Sequence, residues 1–195
     1  MNKNEHAAQA SANPQPSAPA QPTATPQPTA PAQPNTTPQP LTYHIIWTTY
    51  GTWLPGDARG WVKKGQWTVQ PPDPDLDRQA RERMAEPPVL LTPEQRSLVE
   101  QTIADHCRHR GWVLHAVQAR TNHVHVVVTA DRDPDEVRDQ FKAWCSRKLS
   151  DAAGLVRTVA KKAGRRRWFT EGGDKELIDN EQYLTNAIQY VLEGQ

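Results

Sequence analysis

Residues Thr121–Val128 read "TNHVHVVV": two histidines one valine apart, then an unbroken run of valines. A β-branched run of this length reads as a strand, and side chains along a strand alternate sides with a period of two. His123 and His125 therefore emerge on one face, and Val124, Val126 and Val128 on the other. The valine face belongs to a core. The histidine face is either an ordinary polar edge or two imidazoles of parallel reach converging on one ion.

Working outward, "WVLHAVQA" (112–119) is a second strand, joined to the first by a turn at Arg120–Asn122. Upstream, Thr92-Pro93-Glu94-Gln95 starts a helix: Thr92 caps it, Pro93 fits the first turn and Gln95 completes a capping box. Val99, Ile103 and Cys107 recur at helical spacing, and Gly111 stops the helix after Arg110. Downstream, Asp133-Pro134-Asp135-Glu136 starts another helix with an apolar stripe of Val137, Phe141, Trp144, Cys145 and Leu149. "LTYHIIWTTY" (41–50) alternates as a first strand. The Gly-, Pro- and Trp-rich stretch over 51–75 reads as a long ordered loop. After a Gly-Gly turn, residues 170–179 hold a short strand, and 180–194 form the last helix. The order β-α-β-β-α-β-α predicts an α+β, ferredoxin-like antiparallel sheet with helices on one face, over a domain spanning 41–195.

Much of the proline, 18 residues in all, lies in residues 1–40. This Pro/Ala/Gln/Thr tract has no aromatic residue and too little apolar surface to offset its ordering entropy. It is expected to be a disordered, polyproline-like tail. It lacks the apolar stretch of a signal peptide, and no run approaches the roughly 20 apolar residues that span a membrane. Cys107 and Cys145 fall on helix faces among apolar residues, which suits buried thiols in a reducing cytoplasm better than a disulfide.

The formal net charge is only +1, but the charge is unevenly spread. Residues 152–170 carry Arg157, Lys161, Lys162, Arg165, Arg166 and Arg167 with no acid, and end in Trp168-Phe169. Such a run is either a solvated face or a grip on a phosphate backbone, with aromatics for bases to stack on. Trp53, Trp61 and Trp67 are further stacking candidates. On the last helix Tyr183, Ala187 and Tyr190 share a face, and both tyrosines suit packing as well as chemistry. His106, Cys107 and His109 have no second ligand pair at zinc-finger spacing. His44 and His115 lie within strands and receive no role.

Taken together, "NHVHVVV", the basic segment running into "WFTEGG", the closing "QYVLEGQ" and the opening "YHIIWTTYGTWLPGDARGW" resemble the HUH single-tyrosine transposases. The fit is best to their REP-associated tyrosine transposase branch. The resemblance spans nearly all of 41–195 and none of the tail. It implies that His123 and His125 are ligands of a divalent metal, Mg²⁺ or Mn²⁺. It also implies that Tyr190 attacks the scissile phosphate of single-stranded, hairpin-bearing DNA, leaving a 5′-phosphotyrosine and a free 3′-hydroxyl without a nucleotide cofactor. Family members form dimers, so a homodimer is expected, in which the tyrosine helix of one chain can serve the partner's histidine pair, with no membrane partner and a cytoplasmic, nucleoid-associated location.

One position departs from the pattern. Related enzymes often carry a Gln or Asn four residues after the tyrosine as third metal ligand, and here that residue is Gly194. Gln195 lies about 140° from the Tyr190 direction on a continuing helix. Either Gly194 turns left-handed and swings Gln195 back, or Glu193 ligates instead. Two other functions stay open: a hairpin-binding module without catalysis, and a metal-dependent phosphoesterase that makes no covalent tyrosine adduct.

Overall fold

The computed structural model of the chain describes residues 39–63, 66, 68–155 and 166–194. The tail as far as residue 38 lies outside these, as do Trp67, Arg157, Lys161, Lys162, Arg165 and Gln195. The elements run β1 (Leu41–Thr48), β2 (Trp61–Val62), β3 (Val69–Gln70), α1 (Pro74–Glu82), α2 (Pro93–Arg110), β4 (Val113–Ala119), β5 (His123–Ala130), α3 (Pro134–Ala152), β6 (Asp174–Ile178) and α4 (Glu181–Glu193).

The four main strands form one antiparallel sheet in the order β4-β5-β1-β6. Because β1 pairs with both β5 and β6, the β1-α2-β4 and β5-α3-β6 connections each carry a helix over the sheet, as the ferredoxin-like expectation requires. The alternation read from the sequence sets the faces. Tyr43, Ile45 and Trp47 of β1 and Val124, Val126 and Val128 of β5 point to one side. There they meet Val99, Ile103 and Cys107 of α2 and Val137, Phe141, Cys145 and Leu149 of α3. Burying each such side chain contributes about 1.5–3 kcal/mol, so this layer dominates the stability of the domain.

The expectation of helices on one face holds for α2 and α3, while α4 covers the opposite face. Its Ala187 and Val191 pack on Ala116, Val127 and Ile178. That face also carries His44, His123 and His125, so α4 lies over the histidines rather than behind them.

The helix ends form by the chemistry read from the sequence. Thr92 and Gln95 make a reciprocal capping box, and Asp133 caps α3. Gly111 closes α2 in the left-handed region at φ 71°, where a Cβ would be strained. Helix α1 falls in and beyond the stretch read as loop. Asp73 caps it and Pro74 opens it, but none of its residues is buried, so it has no apolar stripe to announce it. The preceding loop docks on its start at Gly56, where a Cβ would come within 2.3 Å of the Asp73 carbonyl oxygen.

Trp168 is a core residue, not a platform for bases. It is 2 % exposed, and its Nε1 donates to Ser150 Oγ at 2.9 Å. The cause is a backbone seam: Phe169 bridges to Thr49, and the Tyr50 N–H donates to the Trp168 carbonyl. This draws the chain onto the end of β1 and turns the indole inward. Cys107 and Cys145 are buried free thiols, as expected, and burial pushes the Cys107 thiol up to about 12. Among the described residues no helix is long and apolar enough to cross a membrane.

Candidate active site

The sheet face beneath α4 concentrates the polar chemistry of the molecule. In the β1–β5 register His125 stands opposite Ile46, and His123 opposite Thr48. Their rings lie 4.8 Å apart, centroid to centroid, so the strand places both imidazoles on one face as its spacing predicts. A third imidazole joins them. His44 of β1 sits one step along the same face, its Nε2 3.2 Å from His125 Nδ1 with the rings stacked.

The hydrogen bonds assign the tautomers. The Asn122 side-chain oxygen lies 2.8 Å from His123 Nδ1 and can only accept, so Nδ1 carries the proton and Nε2 keeps its lone pair. His44 Nδ1 faces the Glu176 carboxylate at 4.0 Å, which favours a proton on that nitrogen. His44 Nε2 then accepts from His125 Nδ1–H, leaving His125 Nε2 with a lone pair as well. Glu176, His44 and His125 form a chain of the kind that orients a metal-binding imidazole from behind.

All three rings are biased toward the neutral form. Burial lowers His125 to about 4, and the charge of Arg120, with any proton gained by His123 or His44, opposes its protonation further. Burial lowers His123 too, with Arg120 and Arg59 adding repulsion. His44 is lowered by burial against the pull of Glu176 and Asp174. Neutral imidazoles with a free Nε2 lone pair are the form that binds a divalent ion.

Helix α4 delivers Tyr190. With Ala187 and Val191 buried on the sheet, Tyr190 falls at the rim between them, its ring 5.8 Å from His125 and 6.1 Å from His44. It is 44 % exposed, which leaves the phenol accessible to a large substrate. Arg120, in the β4–β5 turn, donates to the Gly194 carbonyl at 2.7 Å and ties down the end of the helix. Tyr183 is placed differently. Its hydroxyl donates to Glu176 at 2.5 Å, and that bond raises its pKa, favouring the protonated phenol.

Of the third-ligand expectations, only the left-handed turn at Gly194 meets a contrary observation, and Gln195 itself lies outside the described residues. Gly194 is extended, at φ −71° and ψ 126°, so the left-handed turn that would return Gln195 to the histidines does not form. Glu193 accepts from Gln189 Nε2 at 3.0 Å along the helix. Among the described residues no group of three His, Cys, Asp or Glu side chains converges to hold a metal.

Of the basic segment, Arg166 and Arg167 are described and exposed; Arg166 lies over the Trp168 ring and Arg167 over Tyr50. Trp53 is 44 % exposed, with its Nε1 donating to the Gly60 carbonyl. Trp61 and Phe169 are half-buried. Three site residues have no signal in their local sequence. His44 needed the β1–β5 register to be seen. Arg59 and Arg120 lie in a loop and a turn, without periodicity to single them out. Arg59 is fixed by a fork to Asp57, whose carboxyl it holds down to about 2.

No protein-family model and no curated protein matches the sequence. Among solved structures, the chain is similar to a REP-associated tyrosine transposase bound to a REP hairpin. The identity is 11 %, over 83 % of this chain and 70 % of that one, with a TM-score of 0.44. It is also similar to a "putative transposase" from Deinococcus radiodurans R1, with 14 % identity over 84 % of this chain and 97 % of that one, and a TM-score of 0.38. Likenesses of that size leave the activity to the site's own residues.

Proposed function

We propose that the protein is a metal-dependent endonuclease and strand transferase for single-stranded, hairpin-bearing DNA, a transposase in its chemistry, with Tyr190 as nucleophile. The observation that carries this reading is that the 44 % exposed Tyr190 lies within 5.8 Å of the His125 ring, whose neighbour on the same strand face is His123.

The step conserves bonds. The Tyr190 oxygen attacks phosphorus, the bond from phosphorus to the 3′-oxygen breaks, and the tyrosine proton ends on that oxygen as a free 3′-hydroxyl. The reverse attack by a different 3′-hydroxyl rejoins the strand, so no nucleotide cofactor is needed. An unperturbed tyrosine has a pKa of about 10 and is a weak nucleophile near neutral pH. A Mg²⁺ or Mn²⁺ ion on His123 and His125 would draw charge from the phosphate oxygens and align the diester for in-line displacement. The chain itself favours the neutral form of those imidazoles, fixes the helix that carries Tyr190, and keeps Arg59 and Arg120 beside the histidines for phosphate charge. The basic segment of Arg157, Lys161, Lys162, Arg165, Arg166 and Arg167 extends the grip along the backbone. Since one chain unites the tyrosine and the histidines, a homodimer would serve DNA synapsis rather than completion of the site.

The test uses end-labelled single-stranded hairpin oligonucleotides with Mn²⁺ or chelator, resolved by denaturing electrophoresis. A metal-dependent labelled protein band is expected for the wild type, and none for His123→Ala or Tyr190→Phe. Cleavage that survives Tyr190→Phe would point to a phosphoesterase. Hairpin retention without any adduct would point to a binding module.

A further inference from the structure

Two imidazoles are a sparse hold on a hard divalent ion, which prefers oxygen. Among the described residues no three His, Cys, Asp or Glu side chains are grouped to hold an ion, His44 being turned to His125 Nδ1, and the helix position where an amide would be expected is Gly194. An amide does lie next to His125, on the other strand. Gln118 of β4 pairs directly across from His125, so its side chain rises on the same face within a cross-strand neighbour's reach. Its Oε1 is buried and has no hydrogen-bond partner among the described residues. A buried amide oxygen left without a donor is destabilising unless something else satisfies it.

The register has been adjusted to put it there. Val113 and Leu114 pair with Thr129 and Val128, whereas Ala116 to Ala119 pair with Val127 to Val124. One residue, His115, is taken up in a bulge between them. In the register of the first two pairs, Val117 would face His125. The bulge puts the amide there instead, in keeping with the use of bulges to re-aim side chains beside active sites.

Resting on the metal-dependent reading above, we infer that Gln118 Oε1 is the third protein ligand of the ion held by His123 and His125. It supplies from β4 the oxygen that α4 lacks at Gly194. The resulting set of two imidazoles and one amide is uncharged. It leaves the ion's full positive charge for the DNA phosphate, and open positions for phosphate oxygens.

The experiment is a Mn²⁺ titration of the full chain without DNA, with free Mn²⁺ followed by its electron paramagnetic resonance signal. Gln118→Ala should weaken binding on the order of 10-fold or more, and Gln118→Glu, which keeps an oxygen at the same reach and adds charge, should tighten it beyond the wild type. His125→Ala should abolish it. Melting curves in chelator check that each variant is folded; should Gln118→Ala fail to fold, Gln118→Glu decides, since unchanged affinity there overturns the assignment. Affinity unchanged in Gln118→Ala but lost in His125→Ala overturns the third ligand and leaves the proposed function standing. No Mn²⁺ binding by the wild type overturns both.

Discussion

His44 and His125 share a 3.2 Å hydrogen bond across two strands, and its orientation fixes which His125 nitrogen faces outward. Such partners behind a metal-binding histidine typically matter by 10–100-fold. His44→Ala should therefore lower the initial rate of adduct formation by roughly that factor, with hairpin affinity in a native gel unchanged. An equal loss of hairpin binding would instead make His44 part of the DNA surface. The His123/His125 pair was legible from period-two alternation alone. His44 was not, because its partner is 81 residues away and only strand pairing brings them together. Trp168 misled for the same reason in reverse. Its basic neighbours suggest an exposed ring, while the bridge between Phe169 and Thr49 buries it. Trp168→Ala should accordingly cost about 3–5 kcal/mol in chemical denaturation, whereas a stacking platform would be lost at little cost in stability.

At the level of elements, local chemistry decided most of what could be read. The Thr92 capping box, the Asp133 cap and the Gly111 stop act within a few residues, so α2 and α3 begin and end where the sequence places them. Helix α1 escaped notice because it buries nothing and has no apolar period. For α4 the face of Tyr183, Ala187 and Tyr190 was legible but the layer it joins was not, since Ala187 and Val191 fit either side of a sheet. Its docking is a thin contact that nonetheless aims Tyr190. Val191→Ala removes two buried methyl groups and should cost about 2 kcal/mol, felt first by this helix. Amide exchange in Glu181–Glu193 should quicken ahead of α2 and α3, and adduct formation should slow with it. Uniform acceleration across the domain would show that α4 unfolds only with the whole.

The whole domain pairs a ferredoxin-like layer, which provides stability, with a second face that carries the three histidines and Tyr190. Single-strand binding should draw on the basic segment, and each phosphate neutralised adds about −0.7 to the slope of log K against log salt. Replacing Arg157, Lys161, Lys162 and Arg165 together by alanine should flatten that slope by up to roughly 3, measured by fluorescence anisotropy of a labelled hairpin. An unchanged slope would make the segment an ordinary solvated run. On the proposed mechanism Tyr190, beside the histidines, becomes the covalent bridge to DNA. The most direct measurement is mass spectrometry of the tryptic peptide covering residues 176–195, taken from protein reacted with hairpin DNA and trimmed by nuclease. That peptide holds both Tyr183 and Tyr190, and its fragment ions separate them. A nucleotide remnant on Tyr190 is the predicted result; a remnant on Tyr183, or on neither tyrosine when cleaved DNA is present, would contradict it.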